Sequence, residues 1–229
     1  MTIITIHQPE YLPCVALLWK IAQADALVLL DDVQFNRASL QHRAKIAGPR
    51  WLTIPFVHRF PQTIRDVEIA EPSWAAAHEK GLHAAYGDTP GFTPMMEALG
   101  ETLASSSRFV ADVAETSMRA MLPAFGIDVA VLRASSLSVP DDAHKGDRVL
   151  AICRRLRATR YVSGHAGATY LDRAAFEAAG IEVVVPPPAP MYPRPRPYAP
   201  GEDHGLSAVD AWAFAGSDAT RTLFDGARR

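Results

Sequence analysis

The sequence predicts an α/β fold: a mainly parallel sheet with flanking helices, a proline-rich arm and a C-terminal helix. Three observations carry this expectation. The chain opens as strand, helix, strand; the same order returns after residue 160; and the stretch between them is largely of helical period, enough to cover the sheet. The 229 residues fit one domain, 1–229, with a substantial core.

Ile3, Ile4 and Ile6 form a short β-branched strand, and Pro9 and Pro13 forbid its continuation through a sheet. The chain must turn there. Leu17, Leu18, Ile21 and Ala22 recur at helical spacing, and Ala26-Leu27-Val28-Leu29-Leu30 is an apolar run of buried-strand length. Short connections of this kind place two parallel strands side by side with a right-handed crossover. Asp31 and Asp32 then emerge at the same edge as His7. Trp51-Leu52-Thr53-Ile54-Pro55-Phe56 and Ile64-Arg65-Asp66-Val67-Glu68-Ile69 predict a further strand pair, the second with one solvent face.

From Ser73 to about Val113 the pattern is helical, broken at Gly87-Asp88-Thr89-Pro90-Gly91. Val129-Ala130-Val131-Leu132 is a strand, and Asp147 caps a helix that buries Val149, Ile152, Cys153 and Leu156. Arg160-Tyr161-Val162-Ser163-Gly164 is a strand ending on a glycine loop. Leu171 to Ala179 is a helix stopped by Gly180, and Ile181 to Val185 returns as a strand. Residues 186–200 contain eight prolines in fifteen positions, which excludes a helix or a central strand. Met191, Tyr192 and Tyr198 give this arm apolar anchors for docking. Leu206, Val209, Ala213 and Phe214 open the last helix, and 218–229 is expected to fray.

A formal charge of −2, from 23 Lys and Arg against 25 Asp and Glu, argues against a dedicated duplex nucleic-acid surface, which needs a basic stripe. Two cysteines, Cys14 and Cys153, make no disulfide framework, so a reducing cytoplasm is the simplest home. No signal-like or membrane-spanning run is present, so no membrane partner is expected.

The candidate chemistry gathers at the carboxyl ends of strands, where α/β proteins bind ligands. His7 titrates near neutrality when unperturbed and is the candidate acid or base, with Asp32 orienting it and favouring its protonated form. Adjacent carboxylates on a strand point opposite ways, so only one of Asp31 and Asp32 should reach the crevice. Gln8, Glu10 and Tyr11 are expected to line it, joined by Gln34 and by Arg43, which suits a carboxylate or phosphate or else an ion pair with Asp31 or Asp32. Gly164-His165-Ala166-Gly167 offers amides suited to an anion, with Ser163 and Tyr170 beside it, although a tight βα turn explains the glycines equally well. Cys14 with His7 makes a candidate nucleophile and base, set against a small buried apolar residue at a helix start. Lys20 reads as an ordinary solvated lysine. His78-Glu79-Lys80-Gly81-Leu82-His83 has the wrong spacing for a zinc protease helix, and no metal or other cofactor is expected.

Ile6-His7-Gln8-Pro9-Glu10-Tyr11-Leu12-Pro13, Lys20 to Asp25, Asp31 to Phe35, Arg43 with Ile46, Trp51 to Pro55, Tyr161 to Gly164, Gly167, Tyr170 to Asp172 and Leu206 to Asp210 together resemble the WbqC-like family. These segments run in order over nearly the whole chain. Cys14 departs from the large aromatic residue usual after the second proline, and the proline-rich segment after Val185 is a second departure. The resemblance implies a place in bacterial glycan or secondary-metabolite biosynthesis. It suggests an acyl or aminoacyl transferase that forms an amide on an amino-sugar or natural-product intermediate. The partners would be a small-molecule amine acceptor and a carrier-protein or aminoacyl-tRNA donor. The opening strand, His-x-Pro loop and helix are also similar, at the level of fold, to nucleotide-binding enzymes of the pantothenate-synthetase type, which makes an ATP-dependent ligase or nucleotidyltransferase the alternative. A non-catalytic interaction protein using the proline-rich arm is a third.

Overall fold

The computed structural model describes residues 2–48, 50–139, 145–192 and 205–227. Its centre is a five-stranded sheet of β1 (Ile3–His7), β2 (Ala26–Leu29), β5 (Ala130–Arg133), β6 (Arg160–Val162) and β7 (Glu182–Val184), in the order β5-β2-β1-β6-β7. Every pairing is parallel. The chain builds outward from β1 through β2 to β5, then returns to the other side of β1 for β6 and β7. The strand order therefore reverses between β1 and β6, and that is where crevices open in such sheets.

The period of two in each strand divides the core. Leu27 and Leu29 face one apolar cluster and Val28 the other. The larger cluster packs the sheet against α1 (Val15–Ala22), α2 (Trp74–Tyr86), α3 (Phe92–Leu103), α4 (Val110–Ala124) and α8 (Val209–Thr222). The smaller joins Ile4, Ile6 and Tyr161 to α5 (Lys145–Arg155) and α7 (Arg173–Ala178). A four-residue helix, α6 (His165–Ala168), follows β6. No helix among the described residues is long and apolar enough to cross a membrane.

Three local expectations are corrected. The strand at Trp51 takes β3 (Arg43–Ile46) as its main partner, in an antiparallel hairpin with β4 (Arg50–Thr53), and meets the 64–69 segment only in an antiparallel bridge between Phe56 and Ile69. Ile64–Asp66 is instead a 3-10 turn. Ile64 and Val67 are both fully buried, and their spacing of three fits a turn better than a pleat. That turn docks on the exit of β2, with Ile64 N–H donating to Val33 O at 3.0 Å and Arg65 N–H to Asp31 O at 2.9 Å. Asp147, expected as a cap, lies within the first turn of α5.

The arm is described as far as Tyr192, and 193–204, with Tyr198, lie outside the described residues. Trp19 Nε1 donates to Pro187 O at 2.9 Å, and Tyr192 Oη donates to Asp210 at 2.8 Å. Beyond Asp218, where fraying was expected, α8 runs to Thr222 and both Thr220 and Phe224 are buried.

Candidate functional site

The loop leaving β1 splits its side chains between core and crevice. Tyr11 N–H donates to Leu40 O at 3.0 Å, and Leu12 N–H donates to Ser117 Oγ at 3.0 Å. Leu12 is thereby held at φ +46°, a left-handed conformation that branched side chains rarely adopt. Tyr11, expected to line the crevice, is instead 1 % exposed, and its hydroxyl bonds to His78 Nδ1 at 2.9 Å. Its ring supplies core area while the buried hydroxyl finds a partner, the usual arrangement for an interior tyrosine. His7, Gln8 and Glu10 turn the other way. Gln8 Oε1 accepts from Gln41 Nε2 at 2.8 Å, which fixes its amide.

Lys20 overturns its reading as a solvated residue. Helix α1 buries Leu17, Leu18, Ile21 and Ala22 together with Lys20, which is only 5 % exposed. Its ammonium reaches beneath the strand end and donates to Ile6 O at 3.1 Å. Glu10 lies in the same electrostatic neighbourhood. Burial pushes the Glu10 carboxyl up to about 7 while the charge of Lys20 opposes that rise. Burial pulls Lys20 down to about 8 while Glu10 opposes that fall. Glu10 Oε2 is buried with no hydrogen-bond partner among the described residues. Such an oxygen suits a carboxyl that carries a proton part of the time.

His7 also departs from expectation. Asp32 does not orient it; the carboxylate beside it is Glu10, with Oε1 at 3.8 Å from Nδ1. His7 Nδ1 lies 3.0 Å from Gln8 O, and a carbonyl can only accept, so Nδ1 carries the proton and Nε2 presents its lone pair. Burial, assisted by Lys20, lowers the imidazole to about 3, which keeps it neutral rather than protonated. Cys14 precedes α1 close by, but burial and then Glu10 push its thiol up, away from the thiolate that a nucleophile requires.

Two cavities meet at these groups. One, of about 430 Å³, lies at the switch between β1 and β6 and is lined by Gln8, Gly167 and Tyr170. The other, of about 260 Å³, runs between α1 and the arm, lined by Glu10, Cys14, Trp19 and Pro187. Both include His7, Lys20, Gly164 and His165. The glycine loop is thus on the crevice wall, but Ser163 is not. It is fully buried, and its Oγ donates to Gly164 O at 3.1 Å. A Cβ at Gly167 would meet Ser163 Oγ at 2.9 Å, so a larger residue there would have to displace that buried hydroxyl.

The acids after β2 lie further along the same edge. Asp31 is buried and grips Ser135, accepting from its N–H at 3.0 Å and its hydroxyl at 2.7 Å. Asp32 pairs with Arg148 of α5. Asp32, Gln34 and Arg148 line a third cavity, of about 640 Å³. Arg43 makes neither expected ion pair. It donates to Ala38 O at 2.6 Å and stacks over the Trp51 ring at 4.6 Å.

The family model for the WbqC-like protein family matches residues 8–222. An uncharacterized protein of Mycobacterium tuberculosis is 26 % identical over 186 residues, which span 79 % of this chain and 80 % of that one. No solved structure matches the chain significantly.

Proposed function

The chain belongs to the WbqC-like protein family, and we propose that it is an acyl or aminoacyl transferase forming an amide on an amino-sugar or natural-product intermediate. One observation carries the reading: two cavities of about 430 and 260 Å³ converge on the same four residues, His7, Lys20, Gly164 and His165. Two adjoining cavities can hold two substrates against one reacting centre, which is what joining them requires.

The donor is a thioester or ester, presented by a carrier protein or tRNA, and the acceptor is a primary amine. The amine nitrogen bonds to the acyl carbon, and the acyl–sulfur or acyl–oxygen bond breaks. Glu10, held near 7 by burial, takes the proton released by nitrogen and returns it to the leaving group, so acid and base are conserved. The Lys20 ammonium faces the oxygen that gains charge in the tetrahedral intermediate. His7 Nε2 accepts the second amine N–H and aligns its lone pair, a positioning task that suits a neutral imidazole. The catalytic pair expected as His7 and Asp32 becomes Glu10 and Lys20 with His7 beside them.

The test is incubation of purified protein with acyl-carrier and aminoacyl-tRNA donors and a panel of amino sugars, read by mass spectrometry. Amide that disappears in Glu10→Gln is the expected result; no amide across the panel would count against the reading. The strand order supports an ATP-using ligase as the second reading, because switch points of parallel sheets commonly hold nucleotides. That reading requires magnesium–ATP to raise the melting temperature, and no rise at millimolar ATP argues against it.

A further inference from the structure

The cavity of about 640 Å³ beyond the ends of β2 and β5 takes no part in the chemistry above. Its walls are built rather than incidental. Asp31 fixes Ser135 through both carboxylate oxygens, and the Asp32–Arg148 pair is 11 and 9 % exposed, so both walls are tied into the protein. Ser138, also on the lining, is held at φ +52°. A non-glycine residue is strained there, and such strain concentrates at binding sites.

Among the described residues the lining carries Arg65, Arg148 and Asp32, and Asp32 is already paired with Arg148. Arg65 is half-exposed, and its nearest carboxylate, on the adjacent Asp66, is 3.9 Å away, too far for a hydrogen-bonded pair. Thr63, Ser135 and Ser138 add hydroxyls, and Gln34 adds an amide. A half-exposed Arg65 guanidinium without a close carboxylate partner, beside neutral hydrogen-bonding groups, matches a phosphate ester that carries hydroxyls. The volume suits a small molecule of sugar-phosphate or nucleotide size.

The position connects it to the reacting centre. The β1 crevice is lined by Leu30 and Val149, and the larger cavity by Asp32 and Arg148, their near neighbours along the same two segments. The two cavities are thus lined by neighbouring residues of the same two segments. We propose that this cavity binds the phosphorylated, hydroxyl-bearing end of the amine acceptor, which places the amino group at His7 and Glu10. The assignment to the acceptor rests on the transfer reading, whereas binding of the phosphorylated ligand does not.

Calorimetric titration of the full chain separates these claims, using glucosamine 1-phosphate, uridine diphosphate, glucosamine and inorganic phosphate as probes. At least one phosphorylated organic probe should bind tenfold or more tightly than glucosamine. Arg65→Ala should weaken it about tenfold, the loss of one charge-assisted hydrogen bond, and Arg65→Lys should restore part of the loss. Preference for glucosamine 1-phosphate or for uridine diphosphate identifies the source of the phosphoryl group, and either supports the site. Failure of every phosphorylated probe to bind would overturn it. So would binding as tight for inorganic phosphate alone, or binding weakened by Lys20→Met but not by Arg65→Ala, which would put the anion in the β1 crevice. Intact binding without amide formation would count against the transfer reading alone.

Discussion

The loops leaving β1 and β2 lie side by side on one sheet edge and both carry acids, yet they treat charge in opposite ways. After β2, Asp31 accepts two hydrogen bonds from Ser135, and Asp32 is met by Arg148. After β1, Glu10 is buried with Oε2 unpartnered among the described residues, and the ammonium of Lys20 is buried against the Ile6 carbonyl. Asp31 is compensated through both of its oxygens, whereas Asp32 is compensated by Arg148 through Oδ2 and keeps Oδ1 buried without a hydrogen-bond partner among the described residues. The β1 loop leaves two groups with shifted proton affinities, about 7 for Glu10 and about 8 for Lys20, on either side of neutrality. What separates the two loops is the shift in proton affinity at Glu10 and Lys20 rather than the burial of charge itself.

The strongest way to break this contrast is to neutralise the β1 pair. Glu10→Gln and Lys20→Met should each lower amide-forming turnover by roughly 10²–10⁴-fold without lowering the melting temperature, since each removes an undercompensated buried charge. Loss of stability with unchanged turnover per folded molecule would make this pair structural as well. The opposite result is expected after β2. Asp32→Ala removes the carboxylate that meets a buried guanidinium and should lower stability in a denaturant titration, whereas replacing both partners by apolar residues should recover much of that loss.

The pH dependence sharpens the comparison further. Glu10 has a folded value raised from 4.5 to about 7, so its contribution is present below 4.5 and is lost as pH rises toward 7. His7, lowered from 6.5 to about 3, contributes stability that grows over that range, so the two slopes offset in the native protein between 4.5 and 6.5. The difference between wild type and Glu10→Gln isolates the carboxyl. The variant should gain on the wild type by on the order of 3 kcal/mol between pH 4 and 8 in urea unfolding. The smallest effect is expected inside the β1 loop itself. Tyr11→Phe leaves His78 without its 2.9 Å partner and should cost about 1–2 kcal/mol while turnover is retained, because this side chain serves the core.

Much of the frame was legible. The apolar run at Ala26–Leu30 reads as a buried strand and the β-branched run at Ile181–Val185 as a strand, which proves to be the half-exposed edge β7, and the short β1-α1-β2 connections place His7 and the Asp31–Asp32 pair at one edge. What local pattern does not encode is which long-range partner a polar group meets. Asp32 is met by a residue 116 positions away, and Tyr11 by one 67 positions away. Ile64–Ile69 alternates like a strand, but its first half, Ile64–Asp66, is a turn whose Ile64 and Arg65 amides donate to the carbonyls of Val33 and Asp31, while Glu68 and Ile69 keep β-bridges. Lys20 was hidden for a different reason. Lysine is almost always solvated, and its only signal was a position on a short helix whose other faces are apolar.

The central claim is that burial tunes Glu10 and Lys20 as a coupled pair, and the carboxyl carbon-13 shift of Glu10 against pH, assigned by its absence in Glu10→Gln, tests it without any knowledge of the substrate. Glu10 should titrate near 7 in the wild type, and higher still in Lys20→Met, where the ammonium that opposes the rise is gone. A carboxyl that titrates near its ordinary 4.5, or that does not respond to the loss of Lys20, would contradict the account.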